Sequence, residues 1–155
     1  MRGLEGKNYL VVGGAHGIGA ATAKRLAEEG ARVAVGDYDL AGAETVAQAI
    51  RASGGHADAF RFDLRDEKSI VALVEDAVSA LGSLHGVANI AADTRAESGE
   101  DVSVADMEPM TWMGVLKANL TSYALVIRGA LPHLLAAGGG SIVNTTSDST
   151  KAGEK

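Results

Sequence analysis

Tyr9-Leu10-Val11-Val12-Gly13-Gly14-Ala15-His16-Gly17-Ile18-Gly19 is the stretch that decides the fold of this chain. Four consecutive apolar residues stopped by a glycine pair read as a short buried strand. A helical stripe starts at once behind them. Ile18, Thr22 and Leu26 lie four apart within Gly17 to Glu29, and Gly30 occupies the C′ position. A strand that turns through glycines into a helix presents free N–H groups and the positive end of the helix dipole. Such a turn suits a pyrophosphate seated against backbone that carries no Cβ atoms. For a glycine cluster taken alone, an ordinary strand-to-helix turn competes with that reading.

Outward from this stretch, short β-rich runs alternate with helical stripes. Arg32 to Gly36 reads as a second strand, and Leu40 to Ser53 as a helix through Ala43, Val46, Ala47 and Ile50, ended by Gly54-Gly55. Ala57 to Phe62 reads as a third strand with Phe60 and Phe62 on one face. Ile70, Leu73, Val74, Ala77, Val78 and Leu81 then keep the i, i+3, i+4, i+7 rule, with Asp66 as cap and Gly82 as stop. A fourth strand is expected over Leu84 to Ala88. Asp93 to Glu108 is polar and irregular, the one long loop and a candidate lid. Pro109 suits the first turn of a long helix reaching about Ala137, with a bend expected at Pro132. Ser141 to Asn144 reads as a fifth strand, followed by a small polar tail from Ser147 to Lys155. Strands joined by crossover helices imply an α/β fold, a doubly wound parallel sheet of about five strands with helices on both faces, in one domain spanning residues 1–155.

Composition narrows the function classes. The 155 residues carry a net charge of −6, which disfavours a general binder of nucleic acid or anionic membrane. There is no cysteine, so disulfides, thiolate metal sites and a Cys nucleophile are excluded. The four histidines, His16, His56, His85 and His133, lack metal-ligand spacing and are expected in surface or loop positions; no metal site is expected. His16 lies inside the glycine loop and is the one placed to approach a ligand there. No run approaches the ~20 apolar residues of a membrane span, no secretory signal is visible, and a cytoplasmic location is expected. Met107, Met110, Trp112 and Met113 are expected to pack at the start of the long helix rather than form a cofactor box, with a bordering substrate pocket as the other reading of this region.

Asp37 strengthens the pyrophosphate reading. It ends the second strand eighteen residues after Gly19, where a carboxylate can accept a ribose 2′-hydroxyl. The same charge repels a 2′-phosphate, and no Arg or Lys is nearby in sequence to receive one. NAD is therefore expected in preference to NADP.

With these residues in view, the chain resembles the short-chain dehydrogenase/reductase family along its whole length. Gly13, Gly17 and Gly19 repeat the spacing of that family's TGxxxGxG loop. Asp63-Leu64 looks like its adenine-contacting pair, and Asn89-Ile90-Ala91-Ala92 like its Asn-Asn-Ala-Gly segment at the fourth strand. Asn119 matches the long-helix Asn that organises a proton-relay water, and Ser147 the Ser that hydrogen-bonds the substrate oxygen. The resemblance implies a cofactor site made of Gly13, Ala15, His16, Gly17, Ile18, Gly19, Asp37, Tyr38, Asp63, Leu64, Asn89 and Ala91. It implies catalytic roles for Asn119 and Ser147, and NAD-dependent oxidation or reduction of a small alcohol or ketone. It also implies a homo-oligomer, dimer or tetramer, built on the long helix. With Leu116, Leu120, Leu125, Ile127, Leu131 and Leu134, that helix carries more apolar residues than one sheet-facing stripe needs.

The departures are specific. Val12 replaces the Thr before the first glycine, and Ile90 and Ala92 replace the second Asn and the Gly of the fourth-strand motif. The family's catalytic Tyr, with a Lys four residues later, has no counterpart among these residues. Tyr9, Tyr38 and Tyr123 are followed at that spacing by Gly13, Gly42 and Ile127. The chain thus reads as the N-terminal part of such an enzyme, expected to be catalytically incompetent by itself. A non-catalytic dinucleotide-binding module is the alternative. A methyltransferase with an S-adenosyl ligand shares the early glycines and acid, but is disfavoured by the glycine spacing, Asp63-Leu64 and Asn119.

Overall fold

Successive residues of β1 (Asn8–Val12) serve two different helix layers. Leu10 and Val12 face a cluster built from α3 (Glu67–Leu81) and α5 (Ser122–Ala136), through Ile70, Leu73, Val74, Val126, Ala130 and Leu134. Val11 faces the opposite cluster, built on α2 (Leu40–Ala52) through Ala43, Val46, Ala47 and Ile50, with Ala23 of α1 (Gly17–Glu28). A strand buried on both sides has to be apolar at every position, which is why Leu10, Val11 and Val12 run without alternation. The computed structural model describes residues 3–93 and 105–147.

The sheet has five parallel strands in the order β3-β2-β1-β4-β5. β2 (Arg32–Asp37) pairs with β1 from Asn8↔Arg32 to Val12↔Gly36, and β4 (Gly86–Asn89) flanks β1 on its other side. The chain moves outward from β1 to β2 and β3 (His56–Arg61), then returns across the sheet to β4 and β5 (Ser141–Asn144). That reversal opens a crevice beyond the carboxyl ends of β1 and β4, the usual ligand position in such sheets. The doubly wound α/β expectation therefore holds, with helices on both faces.

Local sequence explains most boundaries. α3 starts where the Asp66 carboxylate accepts the Lys68 N–H at 3.0 Å, and it ends at Gly82 with φ +81°. Its fully buried Leu73 and Ile70 each contribute about 1.5–3 kcal/mol through burial. Two strands shift slightly from expectation. β3 covers His56 to Arg61 because its ladder opens at Arg32↔His56, and Phe62 leaves the ladder while its N–H still donates to the Asp37 carbonyl. β4 begins at Gly86, opposite Tyr9, so Leu84 belongs to the buried approach to the strand.

The long helix differs more. α4 (Pro109–Leu116) passes into a π-helical turn over Lys117–Thr121 and then into α5, so the irregularity lies there, while Pro132 sits inside α5. Ser122 N–H reaches back five residues to the Lys117 carbonyl. π-turns of this kind recur at functional sites. The expected packing of Met110, Trp112 and Met113 is not found: α4 has no buried residue and all three side chains are exposed, with Trp112 and Met113 bordering a shallow apolar hollow beside Met107 and Pro109. The expected lid falls mostly, and the tail after Ser147 wholly, outside the described residues. Among the described residues, no helix is long and apolar enough to cross a membrane.

Candidate functional site

The turn after β1 folds onto β2, because the N–H groups of Gly13 and Gly14 both donate to the Gly36 carbonyl, at 2.7 and 3.0 Å. Three glycines in it have three different physical reasons. Gly13 has φ +89°, and a Cβ there would stand 2.5 Å from the Ala91 nitrogen, so this glycine lets the turn touch the end of β4. Gly19 lies so close to the turn that a Cβ would meet the Gly13 carbonyl oxygen at 1.7 Å. Gly17 has φ +49°, yet no atom stands within 4 Å of its Cβ position. Its side of the loop is open. His16 is the N-cap of α1 and its side chain forms no capping bond to the helix.

Two aspartates organise the end of β2. Asp37 Oδ2 accepts the Ala15 N–H at 2.9 Å, and its Oδ1 accepts the Asp39 N–H at 3.0 Å. Asp39 caps α2 through the Gly42 N–H, at 3.0 Å, and its second oxygen lies 2.8 Å from His16 Nε2. The Gly42 N–H first, and then the His16 hydrogen bond, hold the Asp39 carboxyl below its usual range. His16 is thus tied to the loop's neighbour and stands exposed at the cleft.

A cleft of about 530 Å³ opens at this edge of the sheet, lined by Gly13, His16, Gly17, Ile18, Gly19, Asp37, Tyr38, Leu64 and Ala91 of the expected site. Phe62, Ile90 and Ala92, outside the expected cofactor set, complete its walls. Three expected residues lie behind it. Ala15 is buried and serves through its N–H to Asp37. Asp63 closes a local turn, its carboxylate accepting the Arg65 N–H at 2.9 Å while its own N–H donates to Ser69 Oγ. Asn89 is fully buried and bridges β4 to β5, Nδ2 donating to Asn144 Oδ1 at 2.8 Å, with its Oδ1 left without a partner among the described residues.

The two expected catalytic residues lie elsewhere on the same sheet edge. Asn119 belongs to the π-turn, and among the described residues its carboxamide engages Asp93: Oδ1 accepts the Asp93 N–H at 2.7 Å and Nδ2 donates to the Asp93 carbonyl at 3.0 Å. Ser147 is exposed, three residues beyond β5. Neither lines the cleft.

One expectation needs correcting. A cation does stand near Asp37: the register pairs Asp37 with Arg61, whose guanidinium lies 4.9 Å from the Tyr38 ring centroid. In sequence Arg61 is remote, and only the parallel register brings it there. His85 lies in the loop before β4, as expected of a surface or loop histidine. Its Nδ1 accepts the Asn8 N–H at 3.1 Å beside β1. Among the described residues, no group of three or more His, Cys, Asp or Glu is placed to hold a metal ion.

A family model described as short chain dehydrogenase matches residues 7–155. Cis-4-hydroxycyclohexanecarboxylate dehydrogenase of Sinomonas cyclohexanicum is 43% identical over 138 residues, covering 89% of this chain and 53% of the relative. 2,5-Dichloro-2,5-cyclohexadiene-1,4-diol dehydrogenase of Sphingobium indicum is 40% identical over 144 residues, covering 93% and 56%. The chain therefore spans about half the length of the curated relatives it matches. Among solved structures, 7α-hydroxysteroid dehydrogenase complexed with NADH and 7-oxo glycochenodeoxycholic acid superposes with a TM-score of 0.87 at 30% identity, covering 96% of this chain and 56% of that one. A metagenomic short-chain oxidoreductase in complex with NADP gives 0.83 at 30% identity, covering 93% and 63%.

Proposed function

The chain belongs to the short-chain dehydrogenase/reductase family, and from that premise we propose that residues 1–155 form the dinucleotide-binding domain of an NAD-dependent alcohol dehydrogenase. The observation that carries the reading is the open side of Gly17, which faces free space in a cleft that also holds Asp37. A Cβ at Gly13 would collide with Ala91 and one at Gly19 with the Gly13 carbonyl, so these glycines let the loop pack closely on the protein while the open side at Gly17 leaves room that a dinucleotide fits.

A nicotinamide dinucleotide supplies the hydride acceptor or donor when bound. The chain's own residues do the rest. The N–H groups at the start of α1 take the pyrophosphate, with Ile18 and His16 at its side. Asp37 retains lone pairs for a ribose hydroxyl beyond the two N–H groups it already accepts. Leu64 and Ala91 flank the cleft, while Asp63 and Asn89 hold their backbone in place from behind. Asn119 sets the segment after β4, and Ser147 offers a hydroxyl to the substrate oxygen.

NAD is favoured over NADP because Asp37 lines the cleft and would repel a 2′-phosphate, whereas Arg61 is drawn over the Tyr38 face. The names of the two dehydrogenases at 43% and 40% identity point to ring-borne secondary alcohols, and we place the whole protein's substrate in that class. The exposed Leu120, Leu131 and Leu135 support a homo-oligomer formed through α4 and α5. Titration of the chain with NADH and NADPH, followed by nucleotide fluorescence, tests the reading. Tighter binding of NADH is expected; tighter NADPH overturns the cofactor preference, and binding of neither overturns the site.

A further inference from the structure

Arg65 and Asp93 join the two walls of the cleft. Arg65 follows Asp63-Leu64 in the connection from β3 to α3, and Leu64 lines one wall. Asp93 ends the stretch after β4 whose Ile90, Ala91 and Ala92 line the other. The Arg65 guanidinium lies 2.5 Å from Asp93 Oδ2, and the Asp93 side chain is only 2% exposed. The main chain of Asp93 is held as well, by Asn119 on both its N–H and its carbonyl.

We infer that Arg65 is a positioning residue for the dinucleotide: paired with the buried Asp93 carboxylate, it sets the separation between the Leu64 wall and the Ala91–Ala92 wall. A carboxylate this buried is costly without its countercharge. Removing Arg65 takes away the tie between the two segments, so the stretch that carries Asp93, still held by Asn119, shifts relative to Leu64. The Ala91 N–H, bonded to the Val12 carbonyl at 2.8 Å, lies two residues from the pivot and reports the change directly. Arg65 does not itself line the cleft, so its effect passes through the wall. The planar guanidinium suits a carboxylate better than an ammonium does, so Lys is an incomplete substitute.

The role in binding rests on the cleft being the dinucleotide site, and the experiment separates the two. The full chain and its Arg65→Gln, Arg65→Lys, Asp93→Asn and double Arg65→Gln/Asp93→Asn variants are titrated with NADH, and amide exchange is followed at Ala91 without nucleotide. Arg128→Gln, which breaks the exposed pair with Glu67 at the start of α3, is the control. Roughly tenfold weaker NADH binding is expected for Arg65→Gln, since a displaced positioning wall costs affinity without touching the reacting groups. Partial recovery is expected with Lys, a double variant no weaker than the worse single one, faster exchange at Ala91, and no change in the control. A folded Arg65→Gln protein with unchanged NADH affinity overturns the inference. Should Arg65→Gln not fold, unchanged NADH affinity and unchanged Ala91 exchange in Arg65→Lys overturn it equally. A parent chain that binds no NADH overturns the proposed function instead, and exchange at Ala91 then decides alone whether Arg65 holds the wall.

Discussion

The Asp37 carboxylate accepts the backbone N–H of Ala15 at 2.9 Å, so the group expected to read a ribose also fastens the glycine loop to the end of β2. Affinity and local stability are therefore coupled at one side chain. Asp37→Ala should weaken NADH binding about tenfold, narrow the difference between NADH and NADPH, and cost roughly 1–3 kcal/mol of stability. Asp37→Asn keeps an acceptor for Ala15 and should recover most of the stability while leaving the two nucleotides less well distinguished. Urea unfolding beside the two titrations measures both effects. An Asp37→Ala protein as stable as its parent would show that the Ala15 bond contributes nothing.

Gly17 and Gly19 should respond in opposite ways to one added methyl group. At Gly19 the new Cβ would lie 1.7 Å from the Gly13 carbonyl oxygen, so the loop or α1 has to move. At Gly17 the space is open and only the φ of +49° resists, at about 1–2 kcal/mol. Gly17→Ala is expected to remain folded and to lose NADH affinity because the methyl occupies the ligand's side. Gly19→Ala is expected to lose several kcal/mol of stability or fail to fold. Thermal melts that rank Gly17→Ala as the less stable variant would contradict this.

Much of the fold was legible because the decisive patterns are local. Ile70, Leu73, Val74, Ala77 and Leu81 mark α3 by spacing alone, and Leu10-Val11-Val12 mark a strand buried on both faces. What escaped depends on contacts between distant segments. Arg61 meets Tyr38 only through the β2–β3 register, and Asn119 meets Asp93 only because β4 and the long helix converge. The π-turn at Lys117–Thr121 has no sequence marker comparable to a proline, and so went unread. Met110 and Met113 show a further limit, since apolar composition at a helix start does not say whether anything covers it. Of the expected cleft residues, those on the glycine loop were readable from sequence because glycine spacing encodes backbone shape directly.

His85 should make stability fall on mild acidification. Burial holds its imidazole below the ordinary value of 6.5, and the Lys7 charge adds to this. Its Nδ1 accepts the Asn8 N–H, which a protonated ring nitrogen cannot do. Below about pH 6.5 the unfolded chain takes up a proton that the folded chain refuses. This contribution to stability is therefore complete above that pH and is lost as the pH falls from there toward the lowered folded-state pKa. Asp39, a depressed carboxyl, acts in a separate window, losing its contribution only as pH falls below its ordinary 3.8. Urea midpoints measured from pH 7.5 to 5 should drop for the parent and drop less for His85→Asn, which keeps an acceptor without the titration. Parallel curves would remove His85 from this role.

Self-association should depend on exposed leucines of the α4–α5 region. Leu131 and Leu135 lie one turn apart on α5 and are 45% and 66% exposed, and Leu120 of the π-turn is 63% exposed. Leu134, grouped with the interface leucines on sequence grounds, is instead buried in the core. Sedimentation should show an assembly of the parent chain that Leu120→Glu with Leu135→Glu dissociates without loss of helical signal. A monomeric parent at high concentration would argue against an interface here.

A polypeptide of residues 1–155 alone should bind NADH yet oxidise alcohols poorly. Hydride transfer to or from an alcohol carbon needs a proton moved at the oxygen, and general acid–base assistance is typically worth about 10²–10⁴-fold. Asn119 spends its carboxamide on the Asp93 backbone, and Ser147 offers a hydroxyl in a sequence that holds no Tyr-x-x-x-Lys. Tyr123 cannot stand in, since burial pushes its phenol above the ordinary value of 10, opposite to what proton transfer near neutral pH requires. The comparison is between this polypeptide and one extended through a Tyr with a Lys four residues later, assayed for NADH production from cyclohexanol and related secondary alcohols. Turnover slower by about 10² or more is expected for the 155-residue form. Equal rates would place the acid within residues 1–155, and Tyr38, exposed at the cleft beside Arg61, would be the first residue to replace.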